Sequence, residues 1–315
     1  MEITFEKMQG IGNDFIVIED FQQTIALTPE QVVFLCDRNF GIGADGIILL
    51  RPARHPDADF EWLFANSDGS FSEMCGNGIR CAARFLHERG YLPSEAPGVV
   101  IDTGAGQKYV EIVCDEADVF EYAIVDMGCA DLSPAALACT LEPNTSLDIE
   151  YTLDREGAGE TDTLTVEGII DYPLSLEEGD EEVILTGVSM GNPHCVIDVD
   201  TLGCSIHDAP VRILGPCIET LSVFKNRTNV EFIEVIDDHT IEVRTWERGC
   251  GETLACGTGA CAATVCAFLQ GRVHGTVTVR LAGGSLRISV NPENLQVKMA
   301  GPAEFVYAGT IALDE

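Results

Sequence analysis

The sequence predicts a mixed α/β (α+β) protein built from two copies of one unit, each a set of strands around one helix. Three observations predict it. At 315 residues the chain has room for roughly two domains of ~100 to 200 residues each. The segment MCGNGIRC at Met74–Cys81 returns as ACGTGAC at Ala255–Cys261, each a cysteine before a Gly-x-Gly turn and a small apolar run. Flanking motifs repeat around the two segments in one order and at a nearly constant offset.

In the first half, ITFEKM alternates polar and apolar residues, a strand pattern, and leads through a turn at Gly10–Asn13 into a strand at Phe15–Ile18. Thr28 and Pro29 open a helix through Cys36, with the hydroxyl as cap and the proline at a position that needs no N–H. A glycine-marked turn at Gly41–Gly46 precedes the apolar strand Ile47–Leu50. Arg51–Asp59, with two prolines, reads as a loop, and Phe60–Ala65 as a strand that meets the turn Asn66-Ser-Asp-Gly69. The helix after Cys75 should stop at Gly90, with Arg84 and Arg89 near its C-terminal end. Strands at Val99–Asp102 and Tyr109–Cys114 flank Thr103-Gly-Ala-Gly106.

The second half repeats this order. Gly12–Ile18 lies over Gly191–Ile197, Cys75–Gly78 over Cys256–Gly259, and the helix-ending Gly90 over Gly271 without a gap. Residues 103–106 fall near Ala282–Gly284. Any one match is weak, but four in one order point to duplication. Between the halves, residues 131–182 form an acidic stretch with Pro134, Pro143, Gly157, Gly159 and Pro173. Alternation at Thr163–Ile170 gives this surface extension some strand content, and it is expected to hold no catalytic parts.

Composition narrows the function. A formal net charge of −34 tells against nucleic acid and against an anionic membrane surface as partners. No apolar run approaches the ~20 residues that span a bilayer, and MEITFEKMQG lacks the basic-then-apolar pattern of a secretory signal, so the expectation is the cytoplasm. The 13 cysteines are odd in number and irregular in spacing, unlike a disulfide framework. No Cys-x-x-Cys occurs, and a set of Cys250, Cys256 and Cys261 has poor spacing for zinc, so no metal is expected. Neither glycine segment fits a dinucleotide or phosphate loop. None of Lys7, Lys108, Lys225 and Lys298 lies in a motif-rich segment, which disfavours pyridoxal phosphate, and no cofactor is expected.

The cysteines carry the chemistry. The segment ACAATVCAFL is apolar on every face, so its helix should be buried on every face. A helix start presents unpaired N–H groups and partial positive charge. Glycines 76, 78, 257 and 259 let a ligand approach that backbone. The same field is expected to lower a cysteine pKa and to stabilise a carboxylate whose α-carbon is losing a proton. A lone cysteine beside a turn is more often a small buried hydrophobe. Two at equivalent places in a duplicated chain suit a reaction that moves a proton from one face of a carbon to the other.

Asparagines sit beside turns in both halves: Asn13, Asn66, Asn192 and Asn229. Turn asparagines usually serve local backbone chemistry. Glu247 and Arg248 precede Cys256 by about the distance that Asn66 and Ser67 precede Cys75. An exposed Glu-Arg pair is usually solvated surface; here Arg248 can fork onto a carboxylate and Glu247 can hold an ammonium, the two charges of an amino acid. His194 is either a satisfied core histidine or a group that tunes a nearby thiol.

Together the motifs resemble those of the diaminopimelate epimerases, almost end to end. They are GNDF at Gly12, NSDGS at Asn66, MCGNG at Met74, GNPH at Gly191, RTNVEF at Arg227 and ERGCGETLACGTGA at Glu247. The resemblance implies two homologous, pseudo-symmetric domains, each a strand barrel round a central helix, with the active site in the cleft between them. It implies domains of residues 1–126 plus 303–315 and 127–302, the tail returning to the first. It implies cofactor-free interconversion of LL- and meso-diaminopimelate in lysine biosynthesis, a small-molecule substrate as partner, and pairing into a homodimer among the open states. Cys75 and Cys256 are then the acid/base pair, with His194 and Glu247 tuning them. Asn13, Asn66, Asn192, Asn229, Glu247 and Arg248 surround the distal amino acid end of the substrate, and the backbone of Gly76, Asn77, Gly257 and Thr258 holds the reacting carboxylate. Two features depart from the pattern. Gly46 stands where some members have a glutamine contact, and the 131–182 segment is longer than the usual connection. Proline and hydroxyproline racemases carry histidine where this chain has Asn77, and phenazine-type isomerases lack the paired cysteines. A binding protein with the same fold would have no need of the pair.

Overall fold

The computed structural model describes residues 1–93, 96–153, 160–176 and 182–313. In chain order the first elements are β1 (Glu2–Gly10), β2 (Asn13–Glu19), α1 (Pro29–Cys36), β3 (Gly46–Pro52), β4 (Phe60–Asn66), β5 (Phe71–Ser72), α2 (Gly76–Glu88), β6 (Gly98–Thr103), β7 (Gly106–Cys114) and β8 (Phe120–Cys129). Next come β9 (Thr145–Leu153), β10 (Glu160–Gly168), β11 (Tyr172–Ser175), β12 (Glu182–Ser189), β13 (Pro193–Asp198), α3 (Val211–Glu219), β14 (Asn229–Asp237), β15 (Thr240–Glu247) and β16 (Gly251–Thr253). The last are α4 (Gly257–Leu269), β17 (Thr276–Leu281), β18 (Gly284–Val290), β19 (Gln296–Gly301) and β20 (Glu304–Ala312).

The chain divides into two compact units, Met1–Asp126 with Ala300–Glu315, and Met127–Met299. The tail rejoins the first unit at Ala300, three residues before the Ala303 that the sequence suggests. What brings it there is β20, which pairs antiparallel with β1 from Glu2↔Ala312 to Gln9↔Glu304.

The two units share one strand order. In the first, β1 and β2 run antiparallel, β2 and β3 parallel, β3 and β4 antiparallel, and β4 and β6 parallel. β6 and β7 then run antiparallel, and the short β5 turns back onto β4. In the second, β12, β13, β14, β15, β17 and β18 repeat those senses one for one, with β16 turning back onto β15. β11 beside β12 takes the place of β20 beside β1. α1 and α3 fill the two parallel crossovers, and α2 and α4 the positions before β6 and β17.

Local chemistry explains the helices. Thr28 caps α1, accepting from Gln31 N while the Gln31 side chain returns to the Thr28 backbone, a reciprocal capping box. α4 is buried at every residue except Thr258 and Phe268, as its all-round apolarity requires, and packs on β12, β13, β14, β15, β17 and β18. α2 packs on β1, β2, β3 and β7 and leaves Arg84, His87 and Glu88 at its outer end. Both helices run into a left-handed glycine, Gly90 at φ +70° and Gly271 at φ +68°. α3 carries Pro216 in its interior, which in sequence reads as a breaker.

Within the extension two strands pair with each other. β9 and β10 pair antiparallel from Thr145↔Gly168 to Leu153↔Glu160. Its base is clamped by Asn144, which donates to Ile170 O (2.7 Å) and accepts from Ile170 N (3.0 Å). Ile169 and Leu137 join the apolar core of the second unit. Gly157 and Gly159 of this stretch lie outside the described residues.

Candidate active site

In the first unit, Cys75 is the residue just before α2, extended at φ −143°, ψ 116° and half-buried. Its Sγ lies 3.8 Å from Asn13 Oδ1, at the start of β2. Asn77 Nδ2 donates to the same oxygen at 3.2 Å. Asn13 in turn donates to Asp45 Oδ2 at 2.6 Å. Asn66, at the end of β4, donates to Ser70 Oγ at 3.0 Å and lies opposite Gly46 in the β3–β4 register. Gly46 leaves no room there for a larger side chain: an added Cβ would lie 2.6 Å from the Phe64 ring and 2.7 Å from Ala65 O.

Charges behind this group hold it in place. Arg80, fully buried, donates to Gly76 O and Asn77 Oδ1 within α2 and to Pro302 O. Asp14 is paired with Lys7 and Arg38, and Arg38 also reaches Asp45. Burial acts to raise the Asp14 carboxyl, but hydrogen bonds from Arg38 and Lys7 overcome it and hold it at about 2.

In the second unit, Cys256 has the same place before α4, at φ −119°, ψ 113°, and is buried. Its Sγ accepts from Gly259 N at 3.3 Å and lies 3.5 Å from Thr258 Oγ1. Thr258 accepts from Asn192 Nδ2 (3.3 Å), and Asn192 Oδ1 faces His194 Nε2 (3.1 Å). Asn229 is fixed by Pro193 O and by Arg248 N. Arg248 itself is exposed, with Nη1 on Asn226 O. Glu247 accepts from Thr253.

The electrostatics of Cys256 correct one expectation. The helix start does donate to its sulfur, yet the thiol is pushed well above its ordinary value. Burial is the main cause, and the carboxylates of Glu247 and Glu231 add to it. Glu247 is itself raised, by burial first and then by Glu231. Cys256 therefore rests as a neutral thiol. The structure thus joins Asn13 and Asn77 to Cys75, and Thr258, Asn192 and His194 to Cys256, while Asn229 holds the backbone of Arg248 and Asn66 makes a local contact with Ser70. Of the rejected metal set, Cys250 is exposed while Cys256 and Cys261 are buried.

The model of the diaminopimelate epimerase family matches residues 5–133 and 186–306. The chain is 42% identical over 314 residues to a diaminopimelate epimerase of Alkalilimnicola ehrlichii, covering 100% of both chains. It is 39% identical to that of Leptospira biflexa, covering 99% of this chain and 100% of the relative. The chain belongs to the diaminopimelate epimerase family. Solved structures share its fold at lower identity. One is a probable proline racemase of Agrobacterium radiobacter (TM-score 0.63, 18% identical, 99% of this chain and 93% of that one). Another is a phenazine biosynthesis protein of Bacillus anthracis (TM-score 0.62, 16% identical, 99% and 100%).

The family model of the diaminopimelate epimerases passes over residues 134–185, which hold the β9–β10 pair. The Alkalilimnicola epimerase nonetheless aligns along its whole length. Sequence reasoning missed Arg80, Asp14, Asp45, Thr253 and Glu231 among the residues that support the site. The clearest available signal was Glu231, a charge inside the apolar strand run Val230–Ile233. Arg80 gave none, since an arginine on a helix is ordinarily solvated.

Proposed function

We propose that this chain interconverts LL- and meso-diaminopimelate by a two-base proton transfer at the α-carbon, in lysine biosynthesis, with Cys75 and Cys256 as the acid/base pair. The observation that carries the reading is the repeated placement of a cysteine just before a buried helix, with an asparagine-centred hydrogen-bond group beside each. Cys256, held as a neutral thiol, suits the proton donor of one direction, with Cys75 as the base. For the reverse direction the roles exchange.

When the base takes the α-proton, negative charge spreads into the substrate carboxylate. The first N–H groups of a helix have no partner within it and carry the positive end of its dipole. The backbone N–H groups of Gly76, Asn77, Gly257 and Thr258 suit that carboxylate, and they stabilise the charge as it develops. Asn13, Asn66, Asn192, Asn229, Glu247 and Arg248 hold the distal amino acid end. Arg248 suits a carboxylate because its guanidinium is exposed and planar. His194 and Glu247 set the protonation of the thiols.

A direct assay tests this. The reduced protein is incubated with LL-diaminopimelate and, separately, with L-proline. Formation of meso-diaminopimelate with proline unchanged supports the reading. Racemised proline with unchanged diaminopimelate would overturn it in favour of a proline racemase.

A further inference from the structure

Behind Cys256 runs a continuous hydrogen-bond chain whose far end is the buried carboxylate of Glu231. Glu231, on β14, and His194, on β13, are both fully buried, and Glu231 Oε1 lies 2.9 Å from His194 Nδ1. The other ring nitrogen, Nε2, faces Asn192 Oδ1 at 3.1 Å. Asn192 gives its Nδ2 to Thr258, and Thr258 Oγ1 touches Cys256 Sγ. We propose that Glu231 is a positioning residue for Cys256, acting through His194 to hold Asn192 and Thr258 in register with the start of α4. The inference rests on the function proposed above and adds a residue to it.

Proton counting gives the pair its character. A neutral imidazole has one N–H and one lone pair. An ionised carboxylate only accepts, so Nδ1 donates to Glu231, while Nε2 meets the side-chain amide of Asn192, whose other end meets the Thr258 hydroxyl, a group that can give or take a hydrogen bond. Glu231 Oε2 makes no hydrogen bond among the described residues, so nothing but His194 satisfies this carboxylate.

A second contact ties Glu231 to the helix start. A Cβ built on Gly259 would lie 2.5 Å from Glu231 Oε1, so the carboxylate packs against the glycine whose N–H donates to Cys256. The other titratable groups facing the pair are Glu247 on β15, Cys256 before α4 and Cys195 on β13.

The test is nitrogen NMR of the whole protein with ¹⁵N-labelled histidine, in the wild type and in Glu231→Gln, with His194→Asn used only to assign the signal. Nδ1 of His194 should carry a proton toward Glu231 in the wild type. In Glu231→Gln, whose amide can donate as well as accept, the tautomer should become mixed, with turnover down roughly a hundredfold, the cost of a small misplacement. A wild-type ring with a bare Nδ1, or a Glu231→Gln variant with full turnover, would overturn the inference. Should that variant not fold, the wild-type spectrum still decides. The spectrum needs no substrate. A protonated Nδ1 in a protein inactive on diaminopimelate would overturn the proposed function alone, and a bare Nδ1 in an active protein would overturn this inference alone.

Discussion

The sulfur of Cys256 lies 3.3 Å from the backbone N–H of Gly259, three residues into the helix it precedes. That contact favours a thiolate, but burial and the carboxylates of Glu247 and Glu231 outweigh it. The site thus keeps a proton on this sulfur until substrate arrives. A proton held in place is what a donor needs, and the helix start then stabilises the thiolate that donation leaves behind.

Alkylation should report this directly, because the thiolate is the nucleophile. Iodoacetamide should label Cys256 slowly at pH 8, with a rate still climbing at pH 10, read by peptide mass spectrometry. Glu247→Gln removes the nearer-acting carboxylate and should move the climb to lower pH. A plateau reached below pH 9 in the wild type would contradict the assigned state.

Gly259→Ala should be far more damaging than its size suggests. The new methyl would meet Glu231 Oε1 at 2.5 Å and Cys256 Sγ at 3.2 Å. Displacing either costs packing, about 1 to 3 kcal/mol in stability. Because the displaced atoms carry the chemistry, kcat/KM should fall roughly a hundredfold. Thermal melts and steady-state rates on the same sample separate the two effects.

Asp45 supports the first unit in the same indirect way. It accepts from Asn13 Nδ2 at 2.6 Å and from Asp14 N at 3.1 Å, and it pairs with Arg38 at 2.8 Å. Asp45→Ala frees Asn13 to turn away from Cys75. The expected result is a folded protein whose kcat/KM is lower by roughly ten- to a hundredfold.

Asp14 makes the stability of the first unit sensitive to acid. Its pKa falls from 3.8 to about 2 on folding, so between those values the unfolded chain binds more protons. Stability is therefore full above about pH 4 and is lost as the pH falls through about 2, a contribution of about 2 kcal/mol. Asp14→Asn leaves the buried Lys7 without its carboxylate and should cost about 3 kcal/mol at pH 7. The gap between the two melting temperatures should narrow in acid, and a gap independent of pH would contradict the assignment.

Much of this is legible in the sequence. Thr28 and Pro29 mark the start of α1 by local chemistry alone, and Gly90 and Gly271 mark two helix ends because only a left-handed residue fits there. The duplication showed because both copies keep the same turns, and turns depend on residue type more than strands do. The supporting charges were not legible. Asp14 and Asp45 lie 31 residues apart in sequence and meet through the parallel pairing of β2 and β3. Arg80 looks like a surface residue until burial is known. The resting state of Cys256 is hidden from the sequence for the same reason. A helix dipole can be read from sequence, but desolvation and the approach of Glu247 and Glu231 are properties of the packed state.

The most direct measurement is early-time deuterium labelling of LL-diaminopimelate turned over by the reduced protein in D₂O. Two bases on opposite faces predict deuterium at the α-carbon of the meso product while recovered LL substrate keeps its hydrogen. Deuterium accumulating in the substrate ahead of product, or meso product formed without it, would contradict the account.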